Sequence, residues 1–308
     1  MTAVPGYGPF ELHTDPSAFG LVTTTVSSDL GSCVARHPPA RQSTIATVFL
    51  HGAAGSWTTW TPLLLAARED GVDLGETVLL DLPGWGSATL AAHADQTVLA
   101  ISTLVRDVVF RLGYTEWRLV GHSLGGFVAL HMAATWPERT RDVGLVSGTT
   151  FSVMRTVEHP LRRFGQLPGF VMLWRVMQVL APLGASGRAF VRGVDRIGLL
   201  RLATSPLFRH PFRVPRSQID ALAHELRPRS FSAAARATRA YPAEALWGAI
   251  SCPVRALKGD RDVFVSPSDL DQLGRLLPHS VHTVIPDCGH FGPVERPREV
   301  LAALGFAG

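Results

Sequence analysis

Apolar residues along the chain come in two rhythms. Short β-branched runs alternate with longer stretches in which apolar positions return every three or four residues. "LVTTTV" (21–26) and "SCVAR" (32–36) read as a hairpin. "ATVFL" (46–50), "TVLLD" (77–81), "WRLV" (117–120) and "VGLVS" (143–147) read as buried strands. Between them, residues 58–68, 97–112 and 124–135 carry the helical rhythm. Strands that are apolar at consecutive positions have no wet face, so they predict a parallel sheet covered by helices on both sides. The alternation stops near residue 150. It resumes with "PVRAL" (253–257), a helix near 267–277, "VHTVI" (281–285) and a last helix near 296–305.

Residues 151–245 follow neither pattern of buried strands nor the charge balance of the rest. They hold fifteen Arg against five acids, and no convincing strand. The expected organisation is an α/β core made of residues 1–150 and 246–308, interrupted by a helical cap at 151–245. Within that insert "FVMLWRVMQVL" (170–180) has nine apolar residues in eleven, too many for one helix face, so part of it should roof a site or meet a second helix. Met172, Trp174, Met177 and Leu180 are its pocket candidates.

Composition narrows the partners. The formal net charge is +4, but only Lys258 is a lysine and no dense basic run occurs, which argues against nucleic acid. The N-terminal stretch lacks the basic and apolar regions of a secretory signal, and no apolar run is long enough to span a bilayer. Three cysteines, Cys33, Cys252 and Cys288, suit neither a disulfide framework nor a zinc site. A cytoplasmic location, a small-molecule substrate and no cofactor or metal are the expectations. Nothing in the sequence sets an oligomeric state.

The chemistry concentrates in "RLVGHSLGGFVAL" (118–130), a serine among glycines between a strand and a helix. "GHSLG" fits Gly-x-Ser-x-Gly, in which the serine sits on a sharp turn and points outward. Gly121 and Gly125 remove Cβ atoms where strand and helix crowd that turn. A serine hydroxyl is a weak nucleophile unless a base takes its proton and an acid orients the base. His290, in "IPDCGHFGPVERP", follows the last strand, and "ALKGDRDVFVSP" offers Asp260 and Asp262 as the acid. The order Ser, Asp, His along the chain is the third sign.

Over roughly residues 20–305 the chain resembles the α/β-hydrolase fold superfamily. The blocks that carry the likeness are "FLHGAAGSWTTW" (49–60), "DLPGWGSA" (81–88), "GHSLGG" (121–126), "GDRD" (259–262) and "CGHFGPVERP" (288–297). The resemblance implies an inserted helical cap, oxyanion-hole amides at Ala53 and Leu124, and Asp262 as the triad acid, with Asp260 bracing the turn. It further implies structural roles for His51 and Asp81. His122 should point away from the reacting centre, Trp60 should pack, and Trp57 is a further pocket candidate. The expected activity is a serine hydrolase, of the carboxylic ester hydrolase type, that cleaves an ester, thioester or similarly activated acyl bond of a small apolar substrate. Carbon–carbon bond (dione) hydrolysis, acyl transfer and a non-catalytic small-molecule receptor are the alternatives.

Overall fold

The computed structural model describes residues 6–160, 162 and 165–306. The expectations above that touch residues 1–5, 161, 163, 164, 307 and 308 lie outside the described residues. Eight strands form one sheet: β1 (Val22–Ser28), β2 (Gly31–His37), β3 (Ile45–Leu50), β4 (Thr77–Asp81), β5 (Glu116–His122), β6 (Thr140–Val146), β7 (Val254–Gly259) and β8 (Val281–Ile285). Their order across the sheet is β1-β2-β4-β3-β5-β6-β7-β8. β1 with β2 and β2 with β4 are antiparallel, and every other neighbouring pair is parallel.

Outside the insert the helices are α1 (Thr61–Asp70), α2 (Val98–Arg111) and α3 (Leu124–Thr135), then α11 (Pro267–Leu276), α12 (Gly292–Glu295) and α13 (Pro297–Leu304). The period of two in the strands explains why both faces need cover. On β3, Val48 and Leu50 join a core with α2 and α3, whereas Phe49 joins a second core with α1 and α13. Val78 and Leu80 against Leu79 on β4 repeat the division, as do Leu119 against Val120 on β5. Continuous apolar runs are therefore two interleaved faces, each buried under helices.

Between β6 and β7 the described residues form only helices: α4 (Phe151–Glu158), α5 (Pro168–Leu180), α6 (Ala185–Arg196), α7 (Leu200–Ala203), α8 (Arg216–Glu225), α9 (Pro228–Ala237) and α10 (Ala243–Trp247), with short 3-10 turns. Phe170, Trp174, Leu207, Leu222 and Phe231 of this segment build a third core with Phe264, Phe291 and Val294 of the sheet-bearing part. The insert is thus packed onto the ends of the parallel strands, the edge on which their following loops lie.

Candidate active site

The site starts at a reversal in the sheet. From β3 the chain crosses to β4 on one side, while β5 lies on the other, so the loops after β3 and β5 diverge and leave a crevice at the strand ends. The loop after β5 is a single residue. Ser123 has φ 50° and ψ −117°, a conformation unfavourable for a residue with a side chain, and caps α3. Its amide donates to Val146 O at 3.1 Å, and its carbonyl accepts from Thr149 N at 3.1 Å. The turn closes only because its neighbours lack side chains. A Cβ on Gly121 would lie 2.3 Å from Gly125 O, and one on Gly125 would lie 2.0 Å from Leu50 O.

His290 comes to the same crevice from the loop after β8. Its Nδ1 lies 3.0 Å from Asp262 Oδ1, and both side chains are almost fully buried. A carboxylate only accepts, so Nδ1 carries the proton and Nε2 is left as the basic nitrogen. Asp262 also accepts from the amides of Phe264 at 2.8 Å and Val265 at 3.1 Å. Burial pushes its pKa up, but the His290 charge and hydrogen bond, with the Phe264 amide, outweigh this and hold the carboxyl below its usual range. Asp260 faces elsewhere: it accepts from Cys288 N at 3.0 Å and fastens the β7 and β8 loops together.

Ser123, His290, Ala53 and Leu124 all line one narrow cavity of about 50 Å³. Among the described residues no hydrogen bond joins Ser123 Oγ to His290, so of the three-residue chain only the Asp262–His290 link is made. The amides of Ala53 and Leu124 have no acceptor among the described residues, which leaves two donors beside the serine. Leu124 opens α3, where unpaired amides and the helix dipole favour negative charge. The remaining walls are apolar, with Phe170, Leu207 and Phe231 from the insert and Phe264 and Phe291 from the core. Among the described residues, the cavity's polar side chains are Ser123, Thr149, Thr238 and His290, and none carries a fixed charge.

Five sequence candidates for this pocket lie elsewhere. Trp57 lines a separate polar cleft, its ring 5.2 Å from the Arg36 guanidinium and its amide 2.9 Å from Asp81. Trp174 is buried against Phe170 in the insert core, and Met177 lines a second cavity inside the insert, as do Met172 and Leu180. The apolar run of α5 is shared between the insert core and that cavity, and Phe170 and Leu173 are the residues it sends to the serine.

Supporting residues fall into place around the crevice. His51 is buried, its Nδ1 2.7 Å from Gly52 O and its Nε2 accepting from Leu82 N at 3.0 Å, so it ties the β3 loop to the β4 loop. Asp81 pairs with Arg36 at 2.5 Å and accepts from Trp57 N and Ser87 N. Trp60 is fully buried beside Phe49. His122 donates through Nε2 to His290 O at 2.9 Å, and its ring lies 4.9 Å from the His290 ring, so it packs on both the backbone and the side chain of that residue.

One residue here escaped the sequence reading. Glu295 is wholly buried, and its carboxylate accepts from Gly289 N at 2.9 Å and Phe291 N at 3.0 Å, the two amides that flank His290. The same carboxylate takes Tyr7 Oη at 2.8 Å and, from the insert, Arg209 N at 2.9 Å. A lone acid in the apolar, proline-bounded "FGPVERP" was the available signal.

Among the described residues, no helix is long and apolar enough to cross a membrane, and no group of three or more His, Cys, Asp or Glu could hold a metal ion. Comparison with known proteins agrees with the architecture. A candidate carbamate hydrolase, RutD, of Escherichia coli O26:H11 (strain 11368 / EHEC) is 25% identical over 279 residues, 87% of this chain and 92% of that protein. A 2-hydroxy-6-oxononadienedioate/2-hydroxy-6-oxononatrienedioate hydrolase of Klebsiella pneumoniae subsp. pneumoniae is 31% identical over 110 residues. That match covers 33% of this chain and 36% of the relative. The ligand-free epoxide hydrolase CorEH superposes with a TM-score of 0.69 at 19% identity, over 93% of this chain and 98% of its own. The model of the alpha/beta hydrolase family matches residues 47–304, and with the strand order and crevice described above the chain belongs to that family.

Proposed function

We propose that this protein is a serine hydrolase that cleaves an ester, thioester or similarly activated acyl bond of a small apolar substrate through an acyl-enzyme. One observation carries the reading: a strained serine and a histidine already bonded to a buried carboxylate open into a single apolar cavity. Ser123 Oγ attacks the substrate carbonyl carbon while His290 Nε2 takes its proton. The carbonyl π electrons move to oxygen, and the Ala53 and Leu124 amides receive that oxyanion, a contribution of several kcal/mol where such donors are preset. Collapse expels the leaving group, which takes the proton from His290. Water, deprotonated by the same nitrogen, then frees the acid and restores Ser123. Residues 151–245 act as the cap that supplies the apolar walls. Three unpaired, buried cysteines support a reducing, cytoplasmic setting.

A carbon–carbon hydrolase is the second reading, favoured by the name of the Klebsiella relative. That relative's substrate is a dioate, whereas no described residue of this cavity is a fixed cation that could meet a carboxylate. The lining therefore supports a neutral acyl group. Turnover of p-nitrophenyl esters of graded chain length beside a vinylogous dione separates the two. Ser123→Ala is expected to end both turnover and fluorophosphonate labelling while the folded state persists. Hydrolysis by that variant near the wild-type rate would overturn the mechanism.

A further inference from the structure

We propose that the helical insert contains a second binding site, which takes a long unbranched hydrocarbon chain of the substrate whose carbonyl sits at Ser123. This rests on the hydrolase reading above. The cavity beside Ser123 holds only about 50 Å³, room for a small acyl group. Next to it, between α5, α6 and α7, lies a cavity of about 370 Å³. Leu173 and Leu226 line both, so these two leucine side chains form part of the partition between the two spaces.

The lining of the larger cavity is selective. Among the described residues, Thr204 is its single polar side chain, and its hydroxyl donates to Leu200 O at 2.8 Å. Among the described residues, none of the insert's arginines contributes to the wall. Water needs two to four polar partners to be held well, and this surface offers almost none. An alkyl chain asks for nothing else. Met172 and Phe190, which are 61% and 58% exposed, line the cavity too, so it opens to solvent at that end. A chain threaded past Leu173 and Leu226 would run through the insert and tolerate extra length at this mouth.

The test compares p-nitrophenyl acetate with p-nitrophenyl dodecanoate, and dodecyl acetate with ethyl acetate, on the full-length protein. The first pair places the chain on the acyl side and the second on the alcohol side. Val194→Trp and Ala203→Trp fill the second cavity away from Ser123. They are expected to lower kcat/KM for the long member of one pair by about tenfold or more while the short member stays within about twofold. Leu173→Ala, which thins the partition, should shift the preference the other way, and it carries the test if the tryptophan variants do not fold. Equal effects on long and short members of both pairs in the folded variants would overturn the proposal. If the wild type hydrolyses p-nitrophenyl acetate and yet shows no chain-length response to these changes, the chain site fails and the hydrolase reading stands. If it hydrolyses none of the esters, the hydrolase reading fails. Calorimetric binding of dodecan-1-ol then decides the site: binding that Val194→Trp abolishes supports it, and absent or unchanged binding overturns it.

Discussion

Asp260 and Asp262 are two residues apart, and their surroundings give them different work. Asp262 is buried on the His290 ring, while Asp260 is on the surface and holds Cys288 N. Asp262→Asn should cut turnover by about 10⁴-fold, because an amide favours the wrong imidazole tautomer and cannot steady the cation. Asp260→Asn should cost about tenfold or less, since the lost bond is one to a backbone amide at a turn. Kinetics on both folded variants check this, and the reverse order would make Asp260 the acid. At this scale the serine, the histidine and the pair of acids were legible because their chemistry is local to short motifs. Glu295 was not, since its four donors come from residues 7, 209, 289 and 291 and no motif shows such a convergence.

Elements deliver these side chains through close contacts that leave no spare volume. Gly125→Ala would drive a methyl into Leu50 O, forcing α3 away from β3. A loss of about 1–3 kcal/mol is expected, as for overpacked sites, with slower fluorophosphonate labelling. The loop after β8 is held differently, by Glu295 on both sides of His290. In Glu295→Gln one oxygen becomes an NH₂ and must face a donor, whichever way the amide turns. His290 should lose its register, lowering kcat by about ten- to hundredfold with KM little changed. A KM effect alone would reduce Glu295 to a packing role. Strands and core helices were readable from their rhythms, with ends shifted by a few residues at β6 and before α13. The pocket residues of α5 were not, because an almost wholly apolar helix does not announce which side meets substrate and which meets its neighbours.

On the scale of the whole molecule, buried histidines are among the groups that shape the response to acid, and the burial-raised carboxyls of Glu295, Glu225 and Asp142 oppose them. Burial, then the charge of His290, pushes the His122 pKa down to about 3, and burial lowers that of His51 as well. Unfolding frees both to take protons near the ordinary value of 6.5. The stability they contribute is complete above that value and falls with pH, by up to about 1.4 kcal/mol per unit for each. Asp262, with its lowered pKa, adds to the same trend, its contribution being lost as pH falls through its folded value. Denaturant midpoints should therefore drop steeply between pH 6.5 and about 3, and His122→Gln should flatten the slope; an unchanged slope would remove His122 from this account. The parallel sheet and the helical insert were both foreseeable, since each has its own pattern, but the way they share walls around a cavity depends on contacts between distant segments. Those segments also carry built-in reporters. Cys33 lies in β2, Cys252 where the insert returns to the sheet, and Cys288 in the loop that carries His290, all buried, with thiol pKa values raised by burial. A thiol reacts as thiolate and only when reached. Alkylation of the native protein by iodoacetamide should thus be slow at all three, and each rate, read by peptide mass, becomes a clock for the opening of its own region.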